Sequence, residues 1–171
     1  MELSMRALAP EELRSEYFLA YSGLHDPTYF LRELMDEQVV VGLENSGLGR
    51  GITCATVFPN SLSVAIASGA PYFFGPELGA TPTPVSLGPV RQIAVLPGSS
   101  GAVLADFQRA CLVDDRGIVW ISETLSYDGI RNLRIAGDRV LAEGFNAPLG
   151  DETSSIILDL RSGKALRSAY P

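Results

Sequence analysis

Few residues in this 171-residue chain have the types and spacing that chemistry requires. His25 is the only histidine, so any Ser-His-Asp or Cys-His arrangement must pass through it. It stands in His25-Asp26-Pro27, where Asp26 suits a helix cap and Pro27 a first helical position, and a turn accounts for all three residues. The two cysteines, Cys54 and Cys111, sit in apolar strand-like stretches, as buried free thiols do. A disulfide between them would need an oxidising compartment. One histidine and two distant cysteines do not form an ordinary zinc site, and no metal is expected. Gly47-Leu48-Gly49-Arg50-Gly51 has the glycines of a phosphate-binding loop. A strand follows it where a helix N-terminus is needed, and the Lys-Ser/Thr ending is absent. It reads as a hairpin turn, and no cofactor is expected.

Carboxylates are the one catalytic type present in quantity. Glu123 and Asp128 are the pair a hydrolase would use as acid and base. Turn chemistry accounts for Asp114, Asp115 and Asp128 without catalysis, and Asp114-Asp115-Arg116-Gly117 lacks the alternating oxygen ligands of a calcium loop. Tyr72-Phe73-Phe74 is an aromatic triplet whose strand alternation places Tyr72 and Phe74 on one face. With both faces covered the triplet is core. With one face open, Tyr72, Phe74 and the nearby Glu77 form a partner contact beside the loop that follows. That loop, residues 75–89, holds four prolines and three glycines and is either a surface connection or a binding loop.

These residues must be positioned by two kinds of element. Residues 1–37 read as a helical N-terminal segment packed on a β domain. Pro10, Glu11 and Glu12 suit a first helical turn, and Leu13, Tyr17, Phe18 and Tyr21 follow helical spacing to a stop at Gly23. A second helix would start at Pro27 and turn Tyr29, Phe30, Leu34 and Met35 inward. The alternative for residues 17–21 is a strand. Residues 38–171 read as a β-rich domain, interrupted by the Pro/Gly-rich loop at 75–89. Strands are expected near 38–41, 52–58, 62–67, 72–74, 91–96, 103–107, 109–113, 118–122, 140–145 and 156–160. Gly137-Asp138 marks a hairpin. Residues 118–122 are apolar on both faces and so are expected at the centre of a sheet, with Trp120 in the core. The fold class is mainly β with a short helical N-terminal segment, an α+β chain of stacked antiparallel sheets.

One local echo stands out. Leu112-Val113-Asp114-Asp115-Arg116-Gly117-Ile118-Val119 matches Ile157-Leu158-Asp159-Leu160-Arg161-Ser162-Gly163-Lys164-Ala165-Leu166 in pattern: an apolar pair, an Asp, turn residues, a Gly, then a return strand. Over about 55 residues this resembles β-propeller repeats, in which an Asp opens the outer turn and Gly-Lys closes it. The separation of Asp114 from Asp159 is close to one four-stranded blade. The resemblance implies blade-like stacked sheets. Residues 38–171 hold roughly three blades' worth of chain, and closed propellers have about 4–8, so a β-sandwich or an incomplete propeller-like arrangement is expected.

Composition bounds the partners. The formal charge is −7, from 20 acidic and 13 basic residues, which disfavours general attraction to nucleic acid or anionic membrane. Arg131, Arg134 and Arg139 lie close in sequence, and strand geometry decides whether they share a face. No charged start followed by an apolar block, and no run of about 18 apolar residues, is present, so a cytoplasmic location is expected. The function expected is a non-enzymatic soluble binding module that contacts a protein partner. One specific form is an inhibitor or immunity-type protein whose acidic residues cover a basic site. The alternatives are a hydrolase using the carboxylate pair, and self-association into a structural assembly.

Overall fold

A computed structural model describes residues 3–12, 19–21, 27–35, 37–46, 51–59, 62–145 and 153–169. The chain is mainly β, and it divides into two compact units, Met1–Pro89 and Val90–Pro171. Four sheets of four strands make up the described part.

The first unit holds β1 (Leu3–Ala7), β2 (Leu19–Tyr21), β3 (Thr28–Leu34), β4 (Glu37–Leu43), β5 (Cys54–Val57), β6 (Ser63–Ala67), β7 (Ala70–Phe74) and β8 (Thr83–Pro84). They form sheets of order β1-β3-β4-β2 and β5-β6-β7-β8. All pairs are antiparallel except β2 with β4. Met5, Phe30, Val41 and Leu43 from one sheet pack on Ala65, Ala67 and Phe74 from the other. Leu8, Leu31 and Val40 form a second apolar cluster.

The helical N-terminal segment is corrected by this arrangement. Pro10–Glu12 is a single 3-10 turn. Its Glu12 carboxylate accepts from the Ala9 N–H at 2.8 Å and from Arg6 at 2.8 Å. The second expected helix is strand β3, which pairs with β1 on one side and β4 on the other. Residues 28–34 satisfy either period, because their apolar positions are too densely spaced to choose. Two flanking strands settle the choice by taking up the backbone hydrogen bonds on both edges. Met35, expected inward, sits exposed at the β3–β4 turn with φ of 57°. The strand alternative near residue 21 holds for Leu19–Tyr21. Leu13, Tyr17, Phe18, Gly23, His25 and Asp26 lie outside the described residues.

The second unit holds β9 (Gln92–Val95), β10 (Gly101–Ala105), β11 (Ala110–Asp114), β12 (Gly117–Ile121), β13 (Ile130–Ala136), β14 (Arg139–Phe145), β15 (Thr153–Asp159) and β16 (Ala165–Arg167). They form two antiparallel meanders, β9 to β12 and β13 to β16, each in chain order. Val103, Ala105, Ala110, Leu112 and Trp120 of the first pack on Ile130, Val140, Ala142, Ile156 and Leu158 of the second. Trp120 is core, as expected, and its indole N–H donates to Leu160 O at 2.9 Å. Gly163 is required beneath it: its φ is +68°, and a Cβ there would lie 2.5 Å from the indole.

The echoed turns are built alike. Asp114 ends β11 and accepts from Arg116 N at 2.8 Å and from the Arg116 guanidinium at 2.7 Å. Asp159 ends β15 and accepts from Ser162 N at 2.9 Å and Ser162 Oγ at 2.8 Å. The Arg116 side chain holds the Asp114 carboxyl below its ordinary pKa, and the Ser162 side chain does the same for Asp159. A carboxyl depressed on folding stabilises the fold above its unfolded pKa, and that contribution is lost as pH falls through the folded value. The melting temperature is therefore expected to fall below about pH 4. The double substitution Asp114→Asn and Asp159→Asn should flatten that acid limb by lowering the melting temperature at pH 7, with variant and wild type converging in acid. Thermal melts across pH 2.5–7 (a range of about five units around the carboxylate pKa) check this.

Candidate functional site

The residues singled out by sequence are spread over the fold. Glu123 and Asp128 are both exposed, on the segment between β12 and β13, and neither lines a cavity described below. Phe74 is fully buried between the two sheets of the first unit, which makes it core. Tyr72 is half-buried and its hydroxyl donates to Glu44 O at 2.9 Å. It also lines a shallow groove of about 270 Å³ with Pro71, Pro84, Val85 and Leu87. Glu77 is exposed, and its role in the structure is through its backbone. Cys54 and Cys111 are free thiols. Burial raises the pKa of both, that of Cys111 to about 12, so neither is an activated nucleophile. Of the glycine run only Gly51 is described. A Cβ on it would lie 2.1 Å from the Gly69 Cα, so its backbone is pressed against another turn. Among the described residues no three His, Cys, Asp or Glu side chains gather in a way that would hold a metal.

The Pro/Gly loop is organised by a residue that sequence reading missed. Arg32, in the middle of β3, is fully buried. Its Nη1 donates to Glu77 O and Leu78 O, and its Nη2 to Gly75 O, each at 2.8 Å. Its guanidinium lies 4.9 Å from the centre of the Phe74 ring. Burial lowers its pKa to about 10, so it remains charged at neutral pH. Three carbonyl dipoles and an aromatic face compensate the charge in place of a carboxylate. The loop is therefore held to the sheet, and Thr83–Pro84 adds a short edge strand within it, where proline is tolerated.

Two surfaces of the second unit carry side chains with no structural use. The first is β12. Its expected central position is corrected: it is the edge of the order β12-β11-β10-β9. Leu112 opposes Trp120 and Val113 opposes Ile118, so Val119 is one residue extra, a β-bulge. The insertion sends Trp120 into the core and leaves Ile118 and Ile121 together on the opposite face. Ile118, Val119 and Ile121 are 48%, 41% and 38% exposed.

The second surface is the outer face of the β13–β16 sheet. Arg131 opposes Glu143 and Arg134 opposes Leu141, so β13 also carries one extra residue. Asn132 takes up the distortion with φ of 52°. Three positions apart, Arg131 and Arg134 would face opposite ways on a regular strand; the bulge puts both outside. The disturbed backbone is repaired by one side chain: Gln92 Oε1 accepts from Leu133 N at 2.8 Å, and Gln92 Nε2 donates to Ile130 O at 3.2 Å. Asn132 Nδ2 donates to Glu143 at 2.8 Å. A cavity of about 240 Å³ opens there, lined by Asn132, Arg134, Leu141, Glu143, Ser155 and Ile157.

No protein-family model matches this chain, and no curated protein matches it significantly.

Two substitutions test these supports. Arg32→Ala strands Gly75 O and Leu78 O, leaves Glu77 O with the Ala80 N–H, and should cost about 3 kcal/mol of stability, with faster proteolytic cutting inside residues 75–89. Gln92→Leu orphans the Leu133 N–H and should cost about 1–3 kcal/mol. Urea denaturation and limited proteolysis measure both.

Proposed function

We propose that this chain is a protein-binding module that accepts a strand of another protein along β12. The observation that carries the reading is a strand with the composition of a sheet centre placed at a sheet edge. Among the described residues β12 pairs with β11 alone, and Ile118, Val119 and Ile121 stand exposed along it. Exposed apolar edge strands are templates for pairing, and proteins blunt them with Lys, Pro or charge unless they are used. Residues 117–121 contain none of these, and the bulge at Val119 is the one feature of the strand that restricts pairing. Strand addition takes its affinity from backbone hydrogen bonds and its specificity from alternate side chains, which requires no nucleophile, metal or cofactor.

The finer architecture belongs to the same reading. Sheets β5–β8, β9–β12 and β13–β16 are four-stranded meanders in chain order, the form of a propeller blade. Asp114 and Asp159 close the third strand of two successive sheets. This supports blade-like sheets, in which the fourth strand is an edge offered for contact.

The test compares the wild-type chain with Ile118→Lys/Ile121→Lys. Both positions are only partly exposed, so the double substitution should cost about 1–2 kcal/mol of stability. A stoichiometric protein captured from native extract by the wild type should bind the variant at least about tenfold more weakly. Undiminished capture by the variant would remove β12 from the interface. Light scattering at two concentrations separates the remaining case: a dimer dissociated by the same substitutions would replace the foreign partner with a second copy.

A further inference from the structure

We propose that the outer face of the β13–β16 sheet binds an extended acidic segment of another protein, with carboxylates at positions i and i+4 on Arg134 and Arg167 and an apolar side chain at i+2 on Leu141 and Ile157. This site is separate from the β12 edge.

The register lines up one row across the four strands: Arg134, Leu141, Ile157, Arg167. Both ends depend on bulges. That in β13 turns Arg134 to the same face as Arg131. In β16, Leu158 opposes Ala165 and Ile157 opposes Arg167, so Leu166 is extra and Arg167 is sent outward while Ala165 packs on the core. The two middle residues are half-buried, and neither belongs to the core between the sheets.

The other arginines of this face are already engaged. Arg131 stacks on Phe145, 4.1 Å from the ring centre. Arg139 lies 3.4 Å from Asp138 and 3.8 Å from Asp159. The side chains of Arg134 and Arg167 have no hydrogen bond, ion pair or ring contact among the described residues, and both are exposed. Two uncommitted guanidinium groups thus flank an apolar pair in a chain whose net charge is −7. Their complement is a pair of carboxylates flanking an apolar side chain.

Spacing selects the form of that complement. Three inter-strand steps separate the arginine backbones by about 14 Å. An extended segment crossing the strands rises about 3.3 Å per residue, so positions i and i+4 span about 13 Å and share a face with i+2. Glu143 adds the discriminating element. Its carboxylate borders the cavity beside Arg134 and repels acid displaced toward Ser155, so the acidic residues are held to the arginine row.

The probe is a fluorescein-labelled peptide with Glu at i and i+4 and Leu at i+2, assayed by fluorescence anisotropy against the full chain at about 50 mM and 200 mM salt. Tight binding at low salt, weakened at high salt, is expected. Arg134→Glu and Arg167→Glu should each weaken it at least about tenfold, and Arg134→Lys should retain part of it. Ile118→Lys/Ile121→Lys should leave it unchanged, which separates this site from the β12 edge. Equal binding of the Gln-for-Glu peptide, or undiminished binding by both Glu variants with native melting temperatures, would overturn the proposal. Competition by inorganic phosphate or a short oligonucleotide as strong as by unlabelled peptide would also overturn it, because the site would then read charge alone.

Discussion

A β-strand sends alternate side chains to opposite faces, and one inserted residue reverses the assignment of everything beyond it. The surface of the second unit follows from three such insertions, at Val119 in β12, around Asn132 in β13 and at Leu166 in β16. Each keeps an apolar residue in the core between the sheets while turning a neighbour outward: Trp120 with Ile118, Leu133 with Arg134, Ala165 with Arg167. The core and the surface therefore share one set of registers, and neither could shift without the other.

Breaking a ladder leaves backbone groups that must find partners elsewhere, because buried unpaired N–H and C=O groups are costly. A few buried or half-buried polar side chains supply them. Gln92 spans the β13 bulge with both ends of its amide. Ser126, fully buried, donates toward Gly129 O and Phe145 O and accepts from Phe145 N. Arg32 gathers three carbonyls of the Pro/Gly loop. In each case a polar group with little exposure holds irregular chain where regular pairing ends. This explains how a chain with so many turns keeps its loops attached.

The functional reading follows from what remains after those structural uses are assigned. Phe74 fills the core, the cysteines are buried or partly buried thiols of raised pKa, and the turn aspartates cap turns. Among the side chains left over are apolar ones on the β12 edge and cationic ones at the two ends of one row on the β13–β16 sheet. The proposed recognition roles use them differently: one offers backbone and apolar area, the other fixed charge at a set spacing.

Much of this was legible along the chain. Asp-Asp-Arg-Gly and Gly137-Asp138 announced turns because aspartate bonds to nearby backbone N–H groups and glycine accepts positive φ. The hairpin signal before residues 140–145, the alternation in 156–160 and the β-branched run at 39–41 announced strands, and each segment lies largely in one. These signals are local, since they depend on residues a few positions apart. What the chain alone could not decide was pairing. Residues 28–34 suit a helix until β1 and β4 flank them. Residues 118–122 suit a sheet centre until the order of strands puts them at an edge. Arg131, Arg134 and Arg167 have no assigned face until a neighbouring strand shows which residue is extra. Strand order and bulge position are properties of two chains of backbone at once, so only the tertiary structure determines them.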